Sequence, residues 1–359
     1  MSAPPPPPTS TTSSSGPPYR IAVDAMGGDH APAAVVEGSL LALQRVPSAS
    51  VSLVGDREAV GGLLKGLGGR EDDRLSIVHA SQVLSMGENP VAGLRAKPDN
   101  SISRTLLEVH EGRASAAFSA GNTGGVVAAA TLHLDRLRGV KRPGIAVPLP
   151  TLKGTTLLID VGANISCKPI HLVHYAHMAA AYGRAILGVE NPRVAMLNIG
   201  EEEAKGTSLV KQTASMLKES GLAWAGNVEG HAVFQGVADV VVCDGFVGNI
   251  VLKTTEGLAD AMFTLIAGAV KEVARTEPAA VNALKEVLGG LRRRTDYASY
   301  GGAPLLGFEG VVLIGHGRSS PEAVANAIKG ATEVVHQGVN AKIREAIRAH
   351  RSASGGDEA

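Results

Sequence analysis

The stretch Arg20-Ile-Ala-Val-Asp-Ala-Met-Gly-Gly-Asp-His-Ala-Pro32 contains the pattern on which the rest of the chain is built. It opens with the apolar run Arg20–Asp24, turns through two adjacent glycines and leads into the helical stretch Ala33–Arg45. The run is almost continuously apolar rather than alternating, which is typical of a strand covered on both faces. The stretch therefore predicts a strand, a glycine-rich turn and a helix in succession.

The same succession recurs along the chain. Further helical stretches are Pro169–Leu187 and Thr207–Ser220. The other short apolar runs are Val51–Val54, Leu75–His79, Ala114–Ser119, Ile145–Pro148, Thr156–Val161, Val194–Ile199, Asp239–Cys243 and Val311–Ile314. Strands that alternate with helices predict an α/β fold, in which a largely parallel sheet carries helices on both faces. Ligands of such sheets bind at the carboxyl ends of the strands.

The composition is that of a globular protein. Of its 359 residues, 44% are hydrophobic and 19% are charged, and 34 basic residues balance 34 acidic ones. A net charge of zero argues against a general nucleic-acid binder, which usually carries a basic excess. The two cysteines, Cys167 and Cys243, exclude a disulfide scaffold and fit a reducing compartment. The sequence shows neither a secretory signal nor the ~20 apolar residues of a membrane span, so we expect a cytoplasmic protein.

The chain divides into a body and two tails. Residues 1–18, MSAPPPPPTSTTSSSGPP, have almost no apolar surface to bury, so we expect a disordered tail there. A docking role for the proline run is the alternative. Residues 351–359 predict a similar tail. Residues 19–350 suit one large two-lobed domain or two closely joined ones.

Residues 257–294 form the one long segment without a strand-like run. Their apolar residues recur at helical spacing on both sides of Thr276-Glu-Pro278, which predicts a helical hairpin with an apolar stripe on each arm. The stripes are Leu258, Met262, Leu265, Ala269 and Val273, then Val281, Leu284, Val287, Leu288 and Leu291. Flanking basic residues are Lys271, Arg275, Lys285 and Arg292–Arg294. Packing into the core or a dimer interface and contact with an anionic membrane both remain open.

Six glycine-containing loops follow the apolar runs. They are Asp24–Pro32, Ser119–Gly125, Asp160–Pro169, Asn198–Gly206, Asp244–Asn249 and Tyr300–Pro304. Glycine lets backbone N–H groups approach an anion closely, and a helix N-terminus adds a favourable dipole. One such loop is more often a tight turn, but six that carry Asn, Thr and Lys favour a phosphate-bearing ligand.

The sequence lacks the motifs of several common nucleotide-binding, metal and catalytic sites. The chain has no Walker-type G-x-x-x-x-G-K-[ST], no G-x-G-x-x-G after the first strand, and no H-E-x-x-H, C-x-x-C or G-x-S-x-G. His171, His174 and His177 are three residues apart, so the outer two diverge around a helix, and packed or surface histidines are favoured over a metal site. Neither cysteine has an evident local base that would make it a nucleophile.

The loops together resemble the PlsX-type phosphate acyltransferases of bacterial phospholipid synthesis. The resemblance covers roughly residues 20–345. It begins at Ile21–Pro32 and continues in order through Ser119–Gly124, Asp160–Asn164, Lys168-Pro169, Leu197–Gly200, Lys205-Gly206, Gly226–Glu229, Asp244–Asn249, Tyr300–Gly302 and His316-Gly317. Two features depart from the family pattern, the N-terminal tail and Lys97-Pro-Asp-Asn-Ser101, which replaces a more basic stretch and weakens a phosphate role for Lys97.

The resemblance implies a reaction and its partners. A fatty acyl group would pass from acyl carrier protein to inorganic phosphate, and the acyl phosphate would serve phosphatidic acid and phospholipid synthesis. The family is also associated with a Rossmann-like fold related to phosphotransacetylases and isocitrate-type dehydrogenases. We further expect a homodimer, peripheral contact with an anionic membrane and transfer of the product to the membrane acyl-phosphate:glycerol-3-phosphate acyltransferase. No cofactor or metal ion is expected.

The resemblance also identifies candidate site residues. Lys205 resembles the family's catalytic lysine, and Asn249 its amide partner. Phosphate is itself the nucleophile toward a thioester, so the protein must position it and stabilise an oxyanion rather than supply a Ser or Cys. The further candidates for phosphate or substrate binding are Asp24, Gly27, Gly28, His30, Asn122, Thr123, Gly124, Gly125, Asn164 and Lys168.

Two other functions remain open. A decarboxylating dehydrogenase of the related fold would need clustered aspartates for Mg²⁺, and Asp239 and Asp244 are the only close pair near a strand end. A non-enzymatic scaffold that docks acyl carrier protein at a membrane is the second alternative. Neither accounts as well for six glycine loops with Lys and Asn.

Overall fold

The computed structural model describes residues 19–276, 288–290 and 301–353. In this part of the chain the strands form one eleven-stranded sheet. They are β1 (Tyr19–Asp24), β2 (Ala49–Gly55), β3 (Leu75–His79), β4 (Ala116–Ser119), β5 (Gly144–Thr151), β6 (Gly154–Ile159), β7 (Arg193–Asn198), β8 (Ala223–Glu229), β9 (Val240–Val242), β10 (Ala303–Leu306) and β11 (Val311–Ile314).

Helices of widely different length connect these strands. They are α1 (Ala33–Arg45), α2 (Arg57–Gly66), α3 (Pro90–Ala96), α4 (Ser101–His110), α5 (Thr123–His133), α6 (Pro169–Ile186), α7 (Ser208–Lys218), α8 (Gly230–Val233), α9 (Gly245–Thr276), α10 (Pro321–His336) and α11 (Val339–Ala353). None of the helices in the described residues is both long and apolar enough to cross a membrane.

The sheet contains two parallel sets that run in opposite directions. Its order is β3-β2-β1-β4-β11-β10-β5-β6-β9-β7-β8. The first five strands are parallel, and so are the last four. Between the two sets, β10 is antiparallel to both of its neighbours, and β5 is antiparallel to β6. Because the direction reverses three times in between, the carboxyl ends of the two sets lie at opposite edges of the sheet.

Both faces of the sheet are covered. In β6, Leu157 and Ile159 enter one hydrophobic cluster and Leu158 enters another, as expected when successive strand residues point to opposite faces. The first cluster includes side chains of α1, α6, α10 and α11, and the second includes those of α4, α5 and α8. This confirms the predicted α/β fold with a largely parallel sheet and helices on both faces.

Every apolar run singled out in the sequence forms a strand, but two strands were missed. The strand β8 (Ala223–Glu229) lies at the sheet edge, is mostly half-buried and lacks a continuous β-branched run. The strand β10 is four residues long and contains Pro304. Neither therefore has the composition that marks a central strand.

Two predicted boundaries differ from the structure. Asp244–Asn249, expected as a loop, is mostly helical, because α9 begins at Gly245. Helix α11 continues to Ala353, so the expected tail at 351–359 begins too early. The N-terminal tail and nearly all of the second hairpin arm lie outside the described residues. On the first arm, Leu258, Met262 and Leu265 are 63%, 49% and 69% exposed.

Candidate active site

The first glycine loop is anchored by a buried carboxylate at the end of β1. Asp24 is fully buried and accepts hydrogen bonds from Ser119 Oγ at 2.6 Å and from the Met26 N–H at 3.2 Å. Burial raises the pKa of Asp24, and these hydrogen bonds oppose the rise. A Cβ at Gly27 would lie 2.7 Å from the Gly121 nitrogen, so only glycine lets the loops after β1 and β4 pack together.

The loop after β11 closes the same edge. The Asp29 N–H donates to the Gly317 carbonyl oxygen at 2.7 Å. Gly28 has a φ of +107°, which favours glycine, and a Cβ there would lie 3.0 Å from the same oxygen. The predicted residues Asp24, Gly27 and Gly28 therefore lie where the loops after β1, β4 and β11 meet, and His30 is exposed next to them.

Asn122 is engaged in capping helix α5. Its Oδ1 accepts the Gly125 N–H at 2.9 Å, and its Nδ2 lies 3.0–3.2 Å from the carbonyl oxygens of Ser85, Met86 and Glu88. The side chain thus fixes the helix start and the preceding segment, as N-cap residues do. Asn122 and Gly125 hold the loop in place, whereas the predicted neighbours Thr123 and Gly124 are exposed.

Lys97 braces the same segment. Its Nζ lies 2.7 Å from Glu88 Oε2 and 2.9 Å from the Val83 carbonyl oxygen. This contact, together with hydrogen bonds from Ser85, lowers the pKa of Glu88 to about 2. Lys97 is therefore occupied by a structural ion pair, in line with the weak phosphate role expected for it.

Lys205 lies in the loop that follows β7. Asn198 Nδ2 donates to the Lys205 carbonyl oxygen at 3.2 Å, and the Lys205 N–H donates to the Glu202 carbonyl oxygen at 3.1 Å. Gly206 has a φ of +91°, and a Cβ there would collide with Asn198 Oδ1. The Lys205 ammonium is half-exposed and lies 3.5 Å from Glu202 Oε1. The loop thus holds the lysine backbone firmly and leaves its charge accessible.

Asn249 lies near the start of α9, which follows β9, the strand next to the one that precedes Lys205. The side chain of Asp244 caps this helix by accepting the Val247 N–H at 2.9 Å. Because β9 and β7 are parallel neighbours, the loop of Lys205 and the start of α9 leave the same edge of the sheet. Asn249 is exposed, and a Cβ at Gly162 would lie 3.8 Å from its side chain.

The remaining candidates near this edge have different surroundings. Asn164 Nδ2 donates to the Pro143 carbonyl oxygen at 2.6 Å, so its amide supports the loop after β6. Lys168 is exposed and immediately precedes α6, where its backbone N–H donates to His171 Nδ1 at 3.2 Å. Of these two predicted residues, Lys168 alone presents a charge to solvent.

Helix α9 links the two edges. Asn249, Lys253, Glu256 and Asp260 recur at helical spacing and share one face. Arg318 lies 3.4 Å from Asp260 Oδ2. Burial lowers the pKa of His316, and the charge of Glu256 acts in the opposite direction. The helix that begins at one carboxyl edge therefore reaches the loop after β11 at the other.

Neither cysteine is prepared for nucleophilic attack. Burial raises the pKa of Cys243 well above its ordinary value and also raises that of Cys167. Cys243 Sγ contacts the Asp160 carbonyl oxygen at 3.4 Å. A thiol that is held protonated is a poor nucleophile.

The aspartate pair needed by a dehydrogenase is separated by strand β9. Asp239 forms an ion pair with Arg193 at 3.0 Å before the strand, whereas Asp244 caps α9 after it. Within residues 19–276, 288–290 and 301–353, no group of three or more His, Cys, Asp or Glu is arranged to hold a metal ion. His174 and His177 are instead buried against His350, whose ring centroid lies 6.5 and 4.5 Å from theirs.

Three residues that organise this region were not among the site residues predicted from the sequence. They are Asp160, Asn198 and Ser119, whose hydrogen bonds organise the loops that carry the predicted residues. Each lies within or beside a quoted glycine motif. Their position at a strand end was the available signal, but their partners are distant in the chain or on the backbone, which a motif does not display.

Comparison with known proteins identifies the family. A family model described as "Fatty acid synthesis protein" matches residues 19–342. A phosphate acyltransferase of Heliobacterium modesticaldum is 48% identical over 328 residues, which cover 91% of this chain and 97% of that protein. The corresponding enzyme of Myxococcus xanthus is 46% identical over 91% of this chain and 93% of its own. The chain belongs to the phosphate acyltransferase family. It is an acyltransferase.

Solved structures agree with the fold of the family. A phosphotransacetylase from Streptococcus pyogenes matches with a TM-score of 0.59 and 17% identity, over 89% of this chain and 94% of its own. A phosphotransacetylase from Staphylococcus aureus matches with a TM-score of 0.55 and 17% identity, over 89% of this chain and 95% of the phosphotransacetylase. At this identity the likeness shows the fold alone. It confirms the expected relation of this acyltransferase to the phosphotransacetylase fold.

Proposed function

We propose that this phosphate acyltransferase transfers a fatty acyl group from acyl carrier protein to inorganic phosphate. The product is an acyl phosphate used for phosphatidic acid and phospholipid synthesis. The match to phosphate acyltransferases over 91% of the chain carries the proposal. The positions of Lys205 and Asn249 in the segments that follow two neighbouring parallel strands, β7 and β9, support it.

In the proposed reaction, a phosphate oxygen attacks the thioester carbonyl. A tetrahedral intermediate forms, the carbon–sulfur bond breaks, and the carrier thiolate leaves and takes up a proton. Lys205 supplies a positive charge for the phosphate or the oxyanion, and the Asn249 amide donates to the same group. The N-terminus of α9 adds a favourable dipole. No cysteine nucleophile is required, in agreement with the raised pKa values of both thiols.

The loops at the other edge suit the binding of phosphate groups. Thr123 and Gly124 are exposed at the start of α5, where backbone N–H groups point outward. His30 is exposed at this edge, and Lys168 is exposed near the edge of Lys205 and Asn249; these two residues complete the set of candidate donors. We assign scaffold roles to Asp24, Asn122 and Asn164, since their side chains hold backbone groups of the loops.

Exposed apolar side chains border Asn249 and suit the acyl chain. Ile165, Phe246 and Ile250 are 77%, 59% and 51% exposed. The Gly245 N–H donates to the Asn164 carbonyl oxygen at 2.8 Å, which brings the residues that follow each of them close together. We propose that these three side chains contact the hydrocarbon chain of the substrate.

The assembly and location of the enzyme are part of the proposal. We propose a cytoplasmic homodimer that contacts anionic membranes peripherally and delivers acyl phosphate to the membrane acyl-phosphate:glycerol-3-phosphate acyltransferase. The exposed stripe Leu258, Met262 and Leu265 on α9 supports a contact with lipid or with a second copy. Apolar contact and basic residues near anionic lipid together give reversible attachment.

A turnover assay tests the reaction. Purified protein is incubated with palmitoyl-acyl carrier protein, and free carrier thiol and acyl phosphate are measured with and without inorganic phosphate. We expect both products to form together and only with phosphate. Binding of the carrier protein without turnover would favour the scaffold instead. Thermal stabilisation by NAD and Mg²⁺, but not by phosphate with palmitoyl phosphate, would favour the dehydrogenase.

A further inference from the structure

We propose that Asp160 is a positioning residue for the acyl transfer. Its carboxylate fixes the loop after β6 against the start of α9, and this contact sets the position of the Asn249 amide. The inference rests on the proposed function, because Asn249 acts as a catalytic residue only in that reaction.

The Asp160 carboxylate is the centre of the loop after β6. It is fully buried, and hydrogen-bond donors surround both of its oxygens. Oδ1 accepts the N–H groups of Ile145 at 3.0 Å, Gly162 at 3.1 Å and Ala163 at 2.9 Å. Oδ2 accepts the N–H of Asn164 at 2.8 Å and its Nδ2 at 3.3 Å. An Asn side chain would place an NH₂ group where one of these oxygens now accepts, and that group would face N–H donors that it cannot accept from. The arrangement is therefore specific for a carboxylate.

The other side of Asp160 meets the first turn of α9. A Cβ at Gly245 would lie 2.8 Å from Asp160 Oδ2, and a Cβ at Gly248 would collide with the Asp160 carbonyl oxygen. Two glycines one helical turn apart therefore allow the helix to touch this one residue. The start of α9 can move away from the strand end only if these contacts open.

The loop held by Asp160 is also the surface that Asn249 faces. A Cβ at Gly162 would lie 3.8 Å from Cβ, Cγ and Oδ1 of Asn249, which is ordinary van der Waals contact. Gly162 has a φ of +142°, which favours glycine, and its N–H donates to Asp160 Oδ1 at 3.1 Å. Asp160 thus controls both the helix that carries Asn249 and the loop that faces it.

Among the residues that the structure describes, the Asp160 carboxylate forms no ion pair and is held only by N–H donors. Burial raises its pKa, and the N–H groups of Ala163 and Ile145 oppose that rise. The carboxylate contacts backbone and amide donors at the edge that carries Lys205 and Asn249. Asp239, at the opposite end of β9, shows the contrasting structural case, because it pairs with the Arg193 guanidinium at 3.0 Å.

The first test compares Asp160→Asn with the matched control Asp239→Asn. Thiol release is measured over a range of palmitoyl-acyl carrier protein concentrations at saturating phosphate, and melting temperature is recorded for each variant. We expect Asp160→Asn to lower kcat at least ~10-fold while the KM for acyl carrier protein changes less than ~3-fold, which is the pattern of a lost transition-state interaction. Asp239→Asn should lower the melting temperature and leave kcat within ~2-fold of wild type. Wild-type kcat in folded Asp160→Asn would overturn the inference.

The second test is a double-mutant cycle with Asn249→Ala. If Asp160 acts through Asn249, the double variant Asp160→Asn/Asn249→Ala should lose no more kcat than Asn249→Ala alone, within ~2-fold. Multiplied losses would show that Asp160 acts separately from Asn249 and would overturn the inference. A wild-type enzyme without phosphate-dependent turnover in this assay would instead reject the proposed function.

Gly248→Ala provides the same test without altering the carboxylate. The added methyl group must push the first turn of α9 away from Asp160. We expect a kcat loss that is again not additive with Asn249→Ala. A folded Gly248→Ala variant with wild-type kcat would contradict the inference. Failure of both Asp160→Asn and Gly248→Ala to fold would also overturn it, because the contact would then serve only the fold.

Discussion

The side-chain amide of Asn198 donates a hydrogen bond to the carbonyl oxygen of Lys205, 3.2 Å away. Asn198 is the last residue of β7, and Lys205 follows seven residues later in an exposed loop. The Asn198 Oδ1 also accepts the Ile199 N–H at 2.9 Å, so one side chain bonds both ends of this loop. The candidate catalytic lysine is thereby tied to the end of a buried strand.

This relationship predicts the effect of Asn198→Ala. Loss of the hydrogen bond should loosen the loop and lower kcat by about tenfold, because misplacing a charged group weakens its contribution to the transition state. The effect should be smaller than that of removing Lys205 itself. Glu203 lies in the same loop and forms an exposed ion pair with Lys218 of α7, so Glu203→Ala is the control and should leave kcat unchanged. Equal kcat in Asn198→Ala and wild type would contradict the prediction.

The apolar border of Asn249 predicts a chain-length effect. Replacing Ile165 and Ile250 by Ser should raise the KM for palmitoyl-acyl carrier protein by about 30-fold, since each of the two lost contacts with the hydrocarbon chain contributes about 1 kcal/mol. The KM for a short acyl group such as butyryl should change little. Leu152→Ser is the control, because Leu152 is 87% exposed at the other end of β6. Equal effects on long and short chains would exclude the assigned contact.

The exposed stripe on α9 predicts membrane attachment. Wild-type protein should co-sediment with vesicles that contain anionic phosphatidylglycerol and should be released as salt rises. Replacing Leu258 and Leu265 by Glu should abolish sedimentation while turnover with soluble substrate is retained. If that variant instead becomes monomeric or loses turnover, the stripe belongs to an interface between copies, and the membrane prediction is wrong.

The packed histidines predict a loss of stability in mild acid. Burial, followed by the charge of His350, lowers the pKa of His174 to about 4 and that of His177 to about 3. Their surroundings are basic, with His171, Lys141 and Arg351 near His174 and Arg184 near His177. Both rings must therefore be neutral in the folded state. Their contribution is fully present above the unfolded pKa of about 6.5 and falls as the pH decreases toward 4 and 3.

Urea unfolding at several pH values measures this effect. As the pH falls from 7.5 to 5, each of the two histidines should lower the free energy of unfolding by about 2 kcal/mol. The variant His177→Leu should show a shallower decrease than wild type over the same interval. An equal pH dependence of the unfolding free energy in the two proteins would contradict the prediction.

Much of the fold follows from the local pattern of the chain. Runs such as Val51–Val54 and Val311–Ile314 are apolar enough to be strands covered on both faces, and both lie in the sheet. The pairing of these runs, however, depends on contacts between distant segments. The net reversal of direction between β11 and β6 occurs at the antiparallel pair β5 and β6, and β5 is joined to β11 through β10, whose short sequence with Pro304 gives little strand signal.

The candidate site was predictable at the level of motifs but not of roles. Gly245 and Gly248 gave Asp244–Asn249 the composition of a loop, yet they lie in a helix. Both positions need glycine because each approaches Asp160 closely. Asn122 had the residue type of a phosphate ligand, but its side chain is used to cap α5. A hydrogen-bond partner on a distant backbone leaves no local mark in the sequence.

The central claim is that Lys205 supplies the charge for acyl transfer to phosphate. Its most direct test is the phosphate-dependent release of carrier thiol by Lys205→Ala, measured beside Lys218→Ala, an exposed lysine on α7 paired with Glu203. We predict that Lys205→Ala lowers kcat at least ~100-fold, the scale of losing one preorganised donor, with an unchanged melting temperature. Lys218→Ala should retain wild-type turnover. Near-normal turnover in folded Lys205→Ala would contradict the account.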